Sequence, residues 1–279
     1  MVMFKIEIII CCILLLCACA STGQNSINTP QGKSENYPPT FEESAERQEM
    51  VQEAWRGLLA ESGLPFTKLD LFPVLDTPRS LPIELAGKIN INKKNREFGD
   101  MEAKESLRGF IERAGGVIFG DPKNGSLSIK DLSLVTFSQD GNYYRAVYRQ
   151  MSYPYTIANG FGELNMTVDK NGNLLQWSSR LIPYLSLPAN PEVKSREIIE
   201  RLIGREFTYT TIAGQPQSYK VSKQEEIAIK DLVVYPKQDN NKVSIHLAYP
   251  IEVGGGMTWT VFIDAISGRE LGVKQNFAS

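Results

Sequence analysis

Between Leu132 and Ser179 the chain repeats one pattern: a short run rich in Val, Tyr and Leu, then a break. The runs are Leu132 to Phe137, Tyr143 to Met151, Glu163 to Val168 and Leu174 to Ser179. Gln139-Asp-Gly-Asn142 and Asp169-Lys-Asn-Gly-Asn173 lie between them, and Gly, Asn and Asp tolerate the left-handed backbone that tight hairpins need. The pattern predicts an antiparallel meander. Ahead of it, Asp100 opens a predicted helix whose Leu107, Phe110, Ile111 and Ala114 recur at helical spacing until Gly115-Gly116. Strand signals around Thr77-Pro78-Arg79 and from Ile83 to Asn92 precede that helix.

The same arrangement returns further on. Leu181 to Pro191 holds three prolines and reads as a connector. Ser195 to Gly204 is then a short amphipathic helix closed by glycine. Leu232 to Tyr235, Val243 to Pro250 and Met257 to Asp264 read as strands, the last with Trp259, Val261 and Ile263 on one face. The expected fold class is α+β, two small units, each a helix packed on an antiparallel β-sheet. In front of them, Thr40-Phe-Glu-Glu43 has capping-box spacing, and Met50, Val51, Ala54 and Leu58 share one face of a helix that Gly63 and Pro65 end. That helix is expected to dock loosely.

The N-terminus points to export. The apolar run from Ile8 to Ala18 is too short to cross a bilayer of roughly 30 Å as a helix and reads as a signal-peptide core. Leu16-Cys17-Ala18-Cys19 resembles the lipobox of bacterial lipoproteins, which implies cleavage before Cys19 and lipid on its thiol. All four cysteines (Cys11, Cys12, Cys17, Cys19) lie in this region, so the processed chain would keep one and form no internal disulfide. Its cores must hold by burial alone. From Ala20 to Pro39 the residues are too polar to offset the entropy of ordering, and a flexible tether is expected. The expected segments are therefore signal peptide 1–18, lipidated cysteine and tether 19–39, helix 40–66, first unit 67–183 and second unit 184–279. Ala20 is not the aspartate associated with inner-membrane retention, which favours the outer membrane in a cell with two.

The formal charge of −2 gives no footing for nucleic acid or a polybasic membrane surface. The chain has one histidine, His246, so an H-E-x-x-H zinc site is excluded. His246 sits between Ile245 and Leu247 in a predicted strand, where alternation puts it on the opposite face, as a structural or solvent-facing residue. A Ser-His-Asp triad on it would lack the G-x-S-x-G elbow that places a nucleophile. Gly254-Gly-Gly256 is followed by no lysine and reads as a hairpin turn or bulge; Gly160-Phe-Gly162 lacks the third glycine of a dinucleotide site. Asp169-x-Asn171-x-Asn173 is out of register for an EF-hand and reads as a hairpin turn. Glu42-Glu43 and Glu225-Glu226 read as solvated surface. Neither enzyme activity, metal nor small-molecule cofactor is expected.

Several segments fall in the order of a known family. Thr77-Pro-Arg79 with Gly87-Lys88, Met101 to Ala114 with Val117-Ile-Phe-Gly120, Tyr143-Tyr-Arg-Ala-Val-Tyr-Arg-Gln150 and Gly162 to Asn173 resemble the propeptide (FTP) region of thermolysin-like and fungalysin-like metalloprotease precursors. Leu247-Ala-Tyr249 and Trp259-Thr-Val-Phe-Ile-Asp-Ala265 with Ser267-Gly268 resemble the PepSY domain that completes such propeptides. The likeness runs from about Leu69 to Gly272. Ser152 to Asn159 departs from the family's Gly-x-Pro-Val stretch, and no catalytic domain follows within this chain.

The resemblance implies a membrane-anchored, non-catalytic binding protein that inhibits, chaperones or retains an exported metalloprotease. The alternative is an envelope-assembly lipoprotein that binds another envelope protein or a cell-wall component. Candidate binding residues are Tyr143, Tyr148, Gln150, Trp259, Lys274, Phe277 and Ser279, with lipid on Cys19. Tyr143, Tyr144, Tyr148, Tyr153 and Tyr155 are the candidate aromatic surface. The tail Lys274 to Ser279 is the candidate for entering a protease cleft.

Overall fold

The computed structural model describes residues 36–92, 98–120, 127–255 and 258–277. Cys19, most of the expected tether and Ser279 lie outside the described residues. The fold is α+β, with few helices and several antiparallel sheets.

In chain order, β1 (Thr40–Glu42) leads into α1 (Ala45–Glu61), followed by β2 (Asp70–Leu71), β3 (Pro78–Ser80) and β4 (Ile89–Asn90). Then come α2 (Asp100–Arg113), the single turn α3 (Gly115–Ile118), β5 (Leu132–Asp140), β6 (Tyr143–Gln150), β7 (Thr156–Ile157), β8 (Glu163–Asp169) and β9 (Asn173–Ser179). The remainder is α4 (Ser195–Leu202), β10 (Glu206–Thr210), β11 (Pro216–Lys220), β12 (Ile227–Ile229), β13 (Val233–Asp239), β14 (Lys242–Val253), β15 (Trp259–Asp264) and β16 (Glu270–Gln275).

The meander forms as its alternation predicts, giving a sheet in the order β4-β9-β8-β6-β5. The turn at Asp169 is the hairpin expected: Asp169 Oδ1 accepts from the backbone N–H groups of Asn171 and Asn173, each at 2.8 Å. The apolar face of α2, carrying Leu107, Phe110 and Ile111, is buried against this sheet in a core with Leu164, Met166, Leu174 and Trp177. Gly115-Gly116 does not stop the chain's helical path; the extra turn α3 buries Val117 and Ile118. It ends at Gly120, φ +67°, where a Cβ would stand 2.5 Å from the Leu75 carbonyl oxygen, so only glycine fits.

Three expectations are corrected. α1 is integral to this core: Trp55 and Val51 have no exposed surface, and the Trp55 indole donates to the Thr67 carbonyl at 2.7 Å. Its cap is Ser44, whose hydroxyl accepts from Arg47 N–H, while Thr40 to Glu42 leave the helix to pair with β14. The stretch from Ile83 to Asn92 is mostly not strand. Pro82 and Gly87 bracket a 3-10 turn, and only Ile89–Asn90 pairs, with β9.

The second sheet runs β16-β15-β14-β13-β7, with β1 and β12 also pairing β14. α4 buries Ile198 and Leu202 in a core with Ile251, Val253, Trp259 and Val261. A further core lies between the two units. It is made by Val74, Leu75, Tyr153, Ile157 and Phe161 from the first unit, Ile182 and Leu187 from the connector, and Val234, Val243 and Ile245 from the second. The segment Ser152 to Asn159, where the sequence departs from the propeptide pattern, supplies β7, which pairs in parallel with β13.

Candidate functional site

The longest strand, β14, changes partners part-way along one side. There it pairs with β1 at Lys242 to Ser244 and with β15 from Ala248 to Val253. At the changeover Ile245 N–H donates to the Pro39 carbonyl (2.9 Å), Ala265 N–H to the Leu247 carbonyl (2.7 Å), and Leu247 N–H to the Tyr37 hydroxyl (3.0 Å). Strands that separate here leave room between them for side chains. Ser244 and His246, two residues apart, share the face opposite Val243, Ile245 and Leu247. Asp264 ends β15 opposite Ala248, so it lies diagonally across from His246.

These side chains form one chain of hydrogen bonds. His246 Nδ1 is 2.6 Å from Asp264 Oδ2, and His246 Nε2 is 2.9 Å from Ser244 Oγ. A carboxylate only accepts, so Nδ1 carries a proton; in the neutral ring Nε2 then accepts from the Ser244 hydroxyl. The Ser244 hydroxyl has a second acceptor, the Lys237 carbonyl, at 3.3 Å. Asp264 Oδ1 accepts from Ile266 and Ser267 N–H, each at 2.8 Å, which is why the turn Asp-Ala-Ile-Ser-Gly stands at this point in the sequence. The Tyr37 hydroxyl donates to Asp264 Oδ2 at 3.1 Å, and its ring meets the imidazole edge-on at 6.0 Å.

Electrostatics follow the same contacts. Burial alone would raise the Asp264 pKa, but hydrogen bonds from His246, Ser267 N–H and Ile266 N–H outweigh it and hold the carboxyl below its ordinary value. Burial, then the neighbouring Asp264 charge, push the Tyr37 phenol far above its ordinary value. Ser244, His246 and Asp264 are each less than a tenth exposed yet line a cavity of about 640 Å³ that also has Lys237, Lys242 and Arg269 on its wall. His246 thus lies on the face that alternation predicts, but covered by Tyr37 rather than facing solvent.

The residues expected to bind fare unequally. Tyr143 is exposed, at 44%. Tyr144, Tyr148 and Tyr153 are buried, and Tyr155 is half-buried with its hydroxyl on the Ala189 carbonyl, so the five tyrosines do not form one surface. Burial pushes the Tyr148 phenol up to about 12. Gln150 is also buried; its amide donates to the Ile182 carbonyl (2.8 Å) and accepts from Ile182 N–H (3.0 Å), fastening the connector to β6. Trp259 is 3% exposed beneath Phe207, Tyr209 and Tyr219, and Phe277 packs edge-on against it at 5.0 Å. Lys274 is exposed on β16. Among the described residues no group of three or more His, Cys, Asp or Glu side chains is placed to hold a metal ion.

No protein-family model matches the chain. No curated protein matches it either. Among solved structures it is similar to the C-terminal domain of YpeB from Bacillus megaterium, with 12% identity, a TM-score of 0.32, and coverage of 85% of this chain and 100% of that one.

Proposed function

We propose that this chain is a lipid-tethered envelope protein that binds an exported metalloprotease through an extended segment of the protease. The observation that carries the proposal is the edge of the second sheet. β16 pairs with β15 on one side only, and among the described residues no strand pairs with its other side. It is six residues long, with Val273 42% exposed and Lys274 beside it. A free edge of this length offers a row of backbone donors and acceptors to an incoming strand, with alternate side chains to select it. The likeness of the segment order to protease propeptides supports a protease as the partner, and the lipobox-like Leu16 to Cys19 supports tethering at a membrane.

Co-purification with the lipid-bearing protein as bait, in parallel with Val273→Lys, tests this. A charge at the centre of the edge opposes strand addition. The expected result is capture of a metalloprotease by the wild type, slower proteolysis in its presence, and at least a tenfold loss of both with Val273→Lys. Capture of envelope or cell-wall components alone, or capture indifferent to Val273→Lys, would refute the reading.

A further inference from the structure

The arrangement of Ser244, His246 and Asp264 goes beyond binding. A hydroxyl 2.9 Å from one imidazole nitrogen, and a buried carboxylate 2.6 Å from the other, are the two spacings that a nucleophile, its base and the base's orienting group require. The carboxylate is itself fixed by the N–H groups of Ile266 and Ser267, so the imidazole is held in the tautomer whose Nε2 accepts a proton. From this juxtaposition, open to a cavity, we propose that Ser244 is a nucleophile with His246 as its general base, and that the site hydrolyses short-chain esters of polar alcohols.

The cavity selects that class. Lys237, Lys242 and Arg269 line it together with Asp239 and Glu270, and its aliphatic wall is limited to Pro38 and Leu271, which offers little apolar surface to a long acyl chain. Lys237 faces Ser244 across the β13–β14 register, and Lys242 lies two residues before it on β14. Their ammonium groups and the Arg269 guanidinium are the cationic donors on the cavity wall that a developing oxyanion would draw on. In the first step the Ser244 Oγ–acyl carbon bond forms as the hydroxyl proton passes to His246 Nε2. The alcohol leaves with that proton as its bond to the acyl carbon breaks. Water then attacks the acyl-serine, giving a proton to Nε2, and Ser244 departs with it. The sum is ester plus water to acid plus alcohol. Asp264 is a positioning residue. The Lys237 carbonyl is where the Ser244 hydroxyl rests whenever the imidazole carries the proton.

The test uses the full chain in detergent, a fluorophosphonate probe and p-nitrophenyl acetate. The expected result is one label per chain, assigned to Ser244 by peptide mass spectrometry. Ester turnover should fall at least a hundredfold in Ser244→Ala and in His246→Gln, the order of magnitude of general-base catalysis. Asp264→Asn should slow labelling and change its pH profile, which a merely structural carboxylate would leave unmoved. Because free imidazole also cleaves p-nitrophenyl acetate, turnover that survives in Ser244→Ala would overturn the proposal. So would natively folded wild type that takes no label. If Ser244→Ala fails to fold, the position of the label in the wild type decides alone.

Discussion

Asp264 takes His246 and Tyr37 on one oxygen and two backbone N–H groups on the other, so nothing about this 1% exposed carboxylate is left to solvent. Its folded pKa lies below the unfolded one. Such a group contributes stability in full above its unfolded value, near pH 4, and loses it as pH falls through the folded value. Because it weakens four hydrogen bonds to a charged acceptor, Asp264→Asn should cost about 2–3 kcal/mol at neutral pH, and the gap in Tm from wild type should narrow below about pH 4, as thermal melts at a series of pH values would show. Asp76 is the opposite case. It is fully buried at φ +54°, burial raises its pKa against the pull of Arg47 and a hydrogen bond from the Gln48 side chain, and the Arg47 guanidinium, 2.8 Å away, is the cation that compensates its charge. Removing one partner of such a pair strands the other, so Arg47→Leu should destabilise by about 3 kcal/mol. Adding Asp76→Asn should recover part of that loss in denaturant melts of the double variant, because it removes the stranded charge.

At the scale of elements, what alternates over a wide apolar core is legible and what is held by a few distant contacts is not. β6 and β8 announce themselves because every second side chain enters the core of α2, and β5 and β9 flank them through the tight turns at Gly141 and Gly172. The hairpin of β10 and β11 does not, since Phe207, Tyr209 and Tyr219 converge on a single indole, that of Trp259. β1 is three residues long and exists only through its pairing with β14. The site shows the same division. Alternation gives the face of His246, but the residues that complete and cover the site, Asp264 and Tyr37, arrive by strand pairing and by the N-terminal arm. The tail changes most. Lys274 and Gln275 pair with Thr260 and Trp259, and Phe277 lies on Trp259 and Tyr209, so the six-residue tail is partly strand and partly core. Deleting it would not leave the fold intact. Phe277→Ala is the cleaner probe: it should expose the Trp259 indole, red-shift its fluorescence and cost about 1–2 kcal/mol, less than a fully buried ring, because Phe277 is only half-buried.

For the whole molecule, the core shared by the two units decides how they unfold. Ile182 and Leu187 of the Pro-rich connector are buried with Val234, Val243 and Ile245, β7 is a strand of the second sheet drawn from the first unit, and Gln150 clasps the connector. Units joined only by a linker would melt separately, whereas units that share a core lose it together. The three tryptophans separate these outcomes, because Trp55 and Trp177 lie in the core of the first unit and Trp259 in the core beneath α4. A variant keeping only Trp259 and another keeping only Trp55 should give urea midpoints that shift in parallel when Ile182→Ala is added to each. That substitution should cost about 2–4 kcal/mol in both, since it opens a cavity where side chains of the two units meet. Two midpoints, of which only one responds to Ile182→Ala, would mean that the shared core does not couple the units.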